Sequence, residues 1–162
     1  GIDCIKIEGR AKSAYYAAIV TGAYRHCIDD VAAGREIDPV WRDEVEHVSH
    51  RIYSTGFYYG QPGQYVENSR YIRQWQIVAR VEECNEDGLA LCSLNNKFSA
   101  GDSLEVVGPD LRPFAVTAQG MRDADGMPLD EVRTPQSRFT LQLPKAVPPM
   151  SLLRRSVDLS AK

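Results

Sequence analysis

The chain has 162 residues, 43% of them hydrophobic and 25% charged, with a net charge of −3. That size allows one domain, or a small domain with an appendage, and the composition is ordinary for a soluble globular protein. No apolar run approaches the roughly 20 residues that cross a bilayer, and with no strongly basic segment, tight nucleic-acid binding by bulk charge is not expected, although local arginine patches in the second half stay open.

The sequence begins with Gly1 rather than Met, and Gly1–Ile7 already reads as an element in progress. A fragment of a longer protein is therefore expected. In IDCIKIE, Ile5 and Ile7 share one face while Lys6, Glu8 and Arg10 project from the other. That alternation predicts a strand ended by Gly9. Ser13 is placed to cap a helix that carries an unbroken stripe from Tyr16 through Ile19, Val20, Ala23, Tyr24, Cys27 and Ile28 to Val31. Gly34 stands where a left-handed glycine ends a helix, and Gly22, inside it, is expected to allow close approach of a neighbour. Asp38-Pro39 opens a second helix, with Trp41, Val45, Val48 and Ile52 on one face, running to about His50 or Arg51.

Residues 54–74 hold no period and predict a long ordered loop in which Phe57, Tyr58 and Tyr59 pack on something. From Trp75 the texture changes to short strands separated by turns. Strands are predicted over 75–83, 89–94, 103–107, 114–119, 129–132 and 138–143, the last closed by Pro144, Pro148 and Pro149. Asn85-Glu86-Asp87-Gly88, Gly108-Pro109-Asp110 and Ala124-Asp125-Gly126 supply turns. Short, evenly spaced strands suggest a small barrel or sandwich.

Cys4, Cys27, Cys84 and Cys92 form no CxxC or other metal spacing, so reduced structural thiols are expected, with no metal and no cofactor in this chain. His47 and His50 form HxxH on a helix, which can share a metal, but no third ligand stands at a convincing spacing. Packing or hydrogen bonding, with His50-Arg51 positioning the loop, is the expected role.

The run GIDCIKIEGRAKSAYYAAIVTGAYRHCID resembles the pattern G-[IV]-D-S-x-K-I-E-G-R-x-K-S-x-x-Y, continuing to Y-R and I-D, of the peptidase U32 family. HVSHRIYSTGFYYG resembles a second pattern of that family, and NNKFSAGDSLEVVGPD its C-terminal β-domain. Cys4 stands where the family has Ser. The resemblance implies a mainly β fold: a small C-terminal β-barrel similar to domain 2 of translation elongation factors. A βα unit and a second helix would precede it, from the end of an upstream (β/α) barrel. Residues 1–53 would then end the catalytic region, 54–74 link, 75–155 form the barrel and 156–162 a tail. Some members are collagen-degrading proteases. Others act in hydroxylation of transfer RNA, ribosomal RNA or the ubiquinone ring, using an iron–sulfur cluster whose cysteines lie upstream of KIEGR. None of the four cysteines here inherits that role.

Lys6, Glu8 and Arg10 are the sharpest chemical cluster. On the lumen face of a parallel barrel they would bind a carboxylate or an RNA phosphate, with Glu8 orienting Arg10, or form a structural ion-pair network. Lys12 either extends the set or is a solvated residue at the helix start. Phe57, Tyr58, Tyr59 and Tyr65 either stack on nucleobases or fix neighbouring domains. Arg133, Arg138 and Arg154 are weaker candidates for RNA or partner contact. Gly101 and Asp102 fit a folding role in a turn, and no Ser–His–Asp, Cys–His or Walker-like constellation occurs. Three functions follow as expectations for a cytoplasmic protein with no membrane partner. The β-domain presents structured RNA (tRNA or rRNA) to the upstream catalytic domain, contacts a protein substrate of a peptidase, or only stabilises the parent or its dimer.

Overall fold

The computed structural model describes residues 3–63 and 71–157. The chain divides into two compact units, one within Gly1–Gln74 and the other Trp75–Val157. Among the described residues no helix is long and apolar enough to cross a membrane.

The first unit holds helices α1 (Ala14–Ala32) and α2 (Pro39–Glu46). The Ser13 hydroxyl accepts the Tyr16 N–H and starts α1. At its far end Gly34, at φ 69°, donates to Val31 O, and the Arg35 N–H donates to Asp30 O. This paired closure satisfies two of the helix's last carbonyls. Of the predicted stripe, Ile19, Val20 and Ala23 are buried, whereas Tyr24, Ile28 and Val31 are exposed. Tyr15, off that stripe, is buried, and its hydroxyl donates to His47 O at 3.2 Å. Among the described residues, none beyond its neighbours in the helix lies within 4 Å of where a Cβ on Gly22 would stand. Asp38 caps α2 through the Val40 N–H, and Trp41 stacks on His26 of α1 with centroids 3.8 Å apart.

Two elements differ in this structure from the pattern read in the sequence. Residues 3–9 form no strand and lie largely exposed. A strand exists only by pairing, and among the described residues no sheet edge in this unit offers those residues a ladder. Helix α2 stops at Glu46 rather than near His50. His50 leaves the helical path because its backbone exchanges two hydrogen bonds with Ile72, at 3.3 and 2.8 Å.

The second unit is mainly antiparallel β. Its strands are β1 (Trp75–Cys84), β2 (Leu89–Leu94), β3 (Phe98–Ser99), β4 (Ser103–Gly108), β5 (Leu111–Thr117), β6 (Glu131–Val132), β7 (Arg138–Gln142) and β8 (Leu152–Ser156). Six form one sheet in the order β5-β4-β8-β1-β2-β7, and β3 pairs with β6. A single bridge, Arg122 to Thr140, joins the segment after β5 to β7. Alternation along β2 sends Ala90, Cys92 and Leu94 inward. They meet Val78, Val81, Leu104, Val106, Phe139, Leu141 and Leu153 in one apolar core, with Phe98 and Phe139 ring centroids 5.5 Å apart.

The turns carry chemistry that the sequence advertises. Gly88 closes the β1–β2 hairpin at φ 85°, and a Cβ there would stand 2.4 Å from Leu143 O, so only glycine fits. Gly101 is at φ 88° and Asp102 accepts the Ser99 N–H at 3.1 Å, the turn roles expected of both. The strand predicted over 114–119 instead begins at Leu111, because Gly108 pairs with Leu111 across the tight turn.

The largest departure is β8. The prolines after Leu143 suggest an end to regular structure, yet β8 follows them and lies between β4 and β1. Its ladder with β1 reaches Ser156, which pairs with Trp75. Arg154, in the middle of β8, is fully buried; it pairs with Glu105 across β4, donating Nε to Oε2 at 2.8 Å and Nη2 to the same oxygen. The guanidinium also lies 4.6 Å from the Trp75 ring centroid. Removing one member of such a pair strands the other charge in a dry site. Glu105→Ala is expected to lower the unfolding free energy in urea by about 3 kcal/mol, the lower end of the range for buried pairs because Glu105 keeps 26% of its side chain exposed. Glu131→Ala, which removes a looser surface pair with Lys97 at 3.6 Å, is expected to change it by less than about 0.5 kcal/mol. Equal effects from the two substitutions would contradict this account.

Candidate functional site

Lys6, Glu8 and Arg10 are all exposed. The one contact within the set is Arg10 N–H to Glu8 Oε1, at 3.1 Å. No described carboxylate lies within ion-pair distance of Lys6 or Arg10. The expected inner-face ion-pair network is therefore not assembled within these residues. Gly9 to Lys12 forms a turn, with Lys12 N–H donating to Gly9 O at 2.8 Å. That turn hands the chain to α1 and sends the Lys12 side chain inward.

Lys12 is half-buried. Its ammonium donates to Ser49 O at 2.6 Å and lies 4.0 Å from the Tyr71 ring centroid and 5.3 Å from that of Tyr16. The Arg51 and Arg73 guanidinium groups lie 5.0 and 5.9 Å from the same Tyr71 ring, and Arg73 Nε donates to Ser49 Oγ at 3.3 Å. One backbone bridge explains the grouping. In an antiparallel pair centred on His50 and Ile72, Arg51 falls opposite Tyr71 and Ser49 opposite Arg73. Those flanking pairs are the close, non-hydrogen-bonded kind, and their side chains share one face. Sequence reasoning missed this cluster. The available signal was the alternation Tyr71-Ile72-Arg73 next to Ser49-His50-Arg51, but an isolated bridge is too short to show as a period.

The two histidines are committed elsewhere. His47 Nδ1 meets Glu44 Oε1 at 3.2 Å. His50 is buried, with Nδ1 2.6 Å from Arg51 O, Nε2 3.2 Å from Glu46 Oε2, and its ring stacked on Tyr53 at 4.3 Å. Both ring nitrogens of His50 are in use in these contacts. Tyr53 donates its hydroxyl to Val45 O at 2.6 Å, and its pKa is pushed up to about 12 by burial, with Glu46 adding to the shift.

Phe57, Tyr58 and Tyr59 are 81, 74 and 83% exposed, so the described residues do not supply the surface on which they were expected to pack. Tyr58 and Tyr59 touch edge to face at 5.2 Å. Tyr65 lies outside the described residues. In the β unit, Arg133 is exposed, with no ion pair among the described residues. Arg138 is also exposed, but its Nε meets Glu82 at 2.9 Å, and Arg80 approaches the same carboxylate at 3.6 Å. Arg154 is corrected outright: its burial against Glu105 and Trp75 removes it from any RNA or partner surface.

Cys4 and Cys27 lie in the helical unit and Cys84 and Cys92 in the β unit. Among the described residues, no group of three candidate metal ligands includes a cysteine.

The comparisons with known proteins follow this division. The family model described as peptidase family U32 matches residues 1–68, and that of the peptidase family U32 C-terminal domain matches residues 73–154. The chain belongs to peptidase family U32. Among U32 relatives it is 32% identical over 163 residues to tRNA hydroxylation protein P1 of Bacillus subtilis, covering 96% of this chain and 38% of that protein. It is 35% identical over 150 residues to tRNA hydroxylation protein P of Escherichia coli, covering 89% of this chain and 32% of that protein. An archaeal relative from Methanocaldococcus jannaschii, named an uncharacterized protease, is 33% identical over 115 residues, covering 65% of this chain and 28% of its own. This U32 chain thus spans about a third of the length of the curated relatives it matches. The crystallised C-terminal domain of a Geobacillus thermoleovorans U32 peptidase aligns at 26% identity over 49% of this chain and 99% of its own, with a TM-score of 0.47.

Burial separates the thiols. It raises the Cys92 pKa from its ordinary 9.0 to about 12, with Cys84 and Glu82 adding to the effect. The unfolded chain releases this proton above about pH 9 and the folded chain holds it, so the unfolding free energy falls as pH rises from about 9 toward 12. Cys92→Ala is expected to flatten that fall in urea titrations across this window. Alkylation at pH 8 is expected to modify exposed Cys4 first and Cys92 only on unfolding; modification of Cys92 in the folded protein at the Cys4 rate would contradict this.

Proposed function

We propose that this U32 chain is the C-terminal portion of an RNA-hydroxylation protein and that it positions structured RNA, with transfer RNA the leading substrate, for a catalytic region upstream. The observation that carries the reading is the near full-length match of this chain to two proteins named for tRNA hydroxylation. The surface chemistry supports it. Lys6, Arg10 and Arg133 present cations without described carboxylate partners, and Phe57 and Tyr58 present exposed rings. Phosphates need the first and unpaired bases the second. On this reading the β unit curls into a barrel like domain 2 of translation factors, and an iron–sulfur cluster held by upstream cysteines does the oxidative chemistry in the cytoplasm. Residues 1–53 close the catalytic region and 54–74 link it to the β unit. The archaeal relative named a protease favours a second reading, in which the same surfaces hold a protein substrate.

The test is binding of unmodified transfer RNA to the 162-residue chain between 50 and 200 mM salt. Binding that weakens with salt as a power law is expected, because phosphate contacts release counterions. Arg133→Gln is expected to reduce the slope by about 1, as for one lost phosphate contact. No binding at 50 mM salt would refute the RNA reading, and capture of an unfolded collagen chain in its place would favour the second.

A further inference from the structure

We infer that Lys12, Arg51 and Arg73, gathered around the Tyr71 ring, form a phosphate-binding site for the RNA backbone; the inference rests on the RNA reading above. All three cations lie within 6 Å of one aromatic centroid. No described carboxylate lies within ion-pair distance of any of them. Two other exposed cations of the same unit are neutralised: Arg25 holds Asp29 and Arg35 holds Asp30. Gathering like charges costs free energy, and the electron-rich ring face and two hydrogen bonds to Ser49 offset part of it. What remains is a concentrated positive potential on a surface where Arg51, Arg73 and Tyr71 are exposed.

The geometry suits an oxyanion. Two guanidinium groups and an ammonium are gathered around one ring, and arginine forks match phosphate oxygens in pairs. Two of the cations are also held in advance, Lys12 by a backbone carbonyl and Arg73 by a hydroxyl, while the His50–Ile72 bridge sets where the Arg51 backbone stands. For those two, less side-chain freedom is lost on binding. The KIEGRAK run ends in Lys12, so the exposed Lys6 and Arg10 precede the cluster closely in sequence.

The experiment compares three double variants of the 162-residue chain for transfer RNA binding against salt. R51Q/R73Q is expected to weaken binding at least fivefold at 100 mM salt and to lower the salt slope by about 2, as for two lost phosphate contacts. R51K/R73K, which keeps both charges, is expected to retain most of the slope. R25Q/R35Q removes the same net charge from ion-paired positions and is expected to leave the slope within about 0.5 of the parent, since those cations contact no phosphate. Thermal melting checks that each variant is folded. Should R51Q/R73Q bind with the parent slope, or R25Q/R35Q lose as much as R51Q/R73Q, the site is wrong while the RNA reading stands. Failure of the parent chain to bind at all removes both.

Discussion

The β unit depends on a buried charge pair. β8 lies between β4 and β1, and its central residue, Arg154, is an arginine with no solvent exposure. An unpaired guanidinium there would cost more than the surrounding apolar contacts return. Glu105 from the neighbouring strand and the face of Trp75 make the position tolerable. The same contacts set register, since Arg154 stands opposite Glu105 on one side and Ile77 on the other. A slip of one residue would turn Arg154 to the other face of the sheet and separate it from both partners. The pair selects one alignment of the middle of the sheet, and the outer strands build on it.

The helical unit is organised by a smaller device. A two-hydrogen-bond bridge between His50 and Ile72 joins two stretches distant in sequence and shares out side chains by face. His50 turns inward to stack on Tyr53, while Ser49, Arg51, Tyr71 and Arg73 gather on the other side with Lys12. The packing and the charged surface therefore have one origin. The U32 relatives named for tRNA hydroxylation are much longer proteins, of which this chain matches about a third.

Much of the β unit was legible because hairpins announce themselves locally. Gly88 and Gly101 are glycines for geometric reasons, and Ala90, Cys92 and Leu94 alternate as a half-buried strand must. β8 was hidden because it is short, follows three prolines and carries two arginines, and its burial follows from Glu105, far away in sequence. The opening strand, expected to join the sheet of an upstream body, finds no partner among the described residues, and alternation forms a strand only where a partner exists. The charged residues of KIEGR were easy to see as a motif. The cluster around Tyr71 was not, since its members come from three separate stretches joined by one bridge.

The place of β8 bears on how the chain is made. A ribosome releases β1 through β7 before β8, yet neither β1 nor β4 has its shared neighbour until residues 152–156 emerge. Until then two strand edges lie open in the nascent chain, and Glu105 waits without its arginine. Folding of this unit is consequently tied to completion of its last strand, as expected where the decisive contacts are distant in sequence. Stalling of translation just before Leu152 would leave a species with exposed edges that invites aggregation or capture by chaperones.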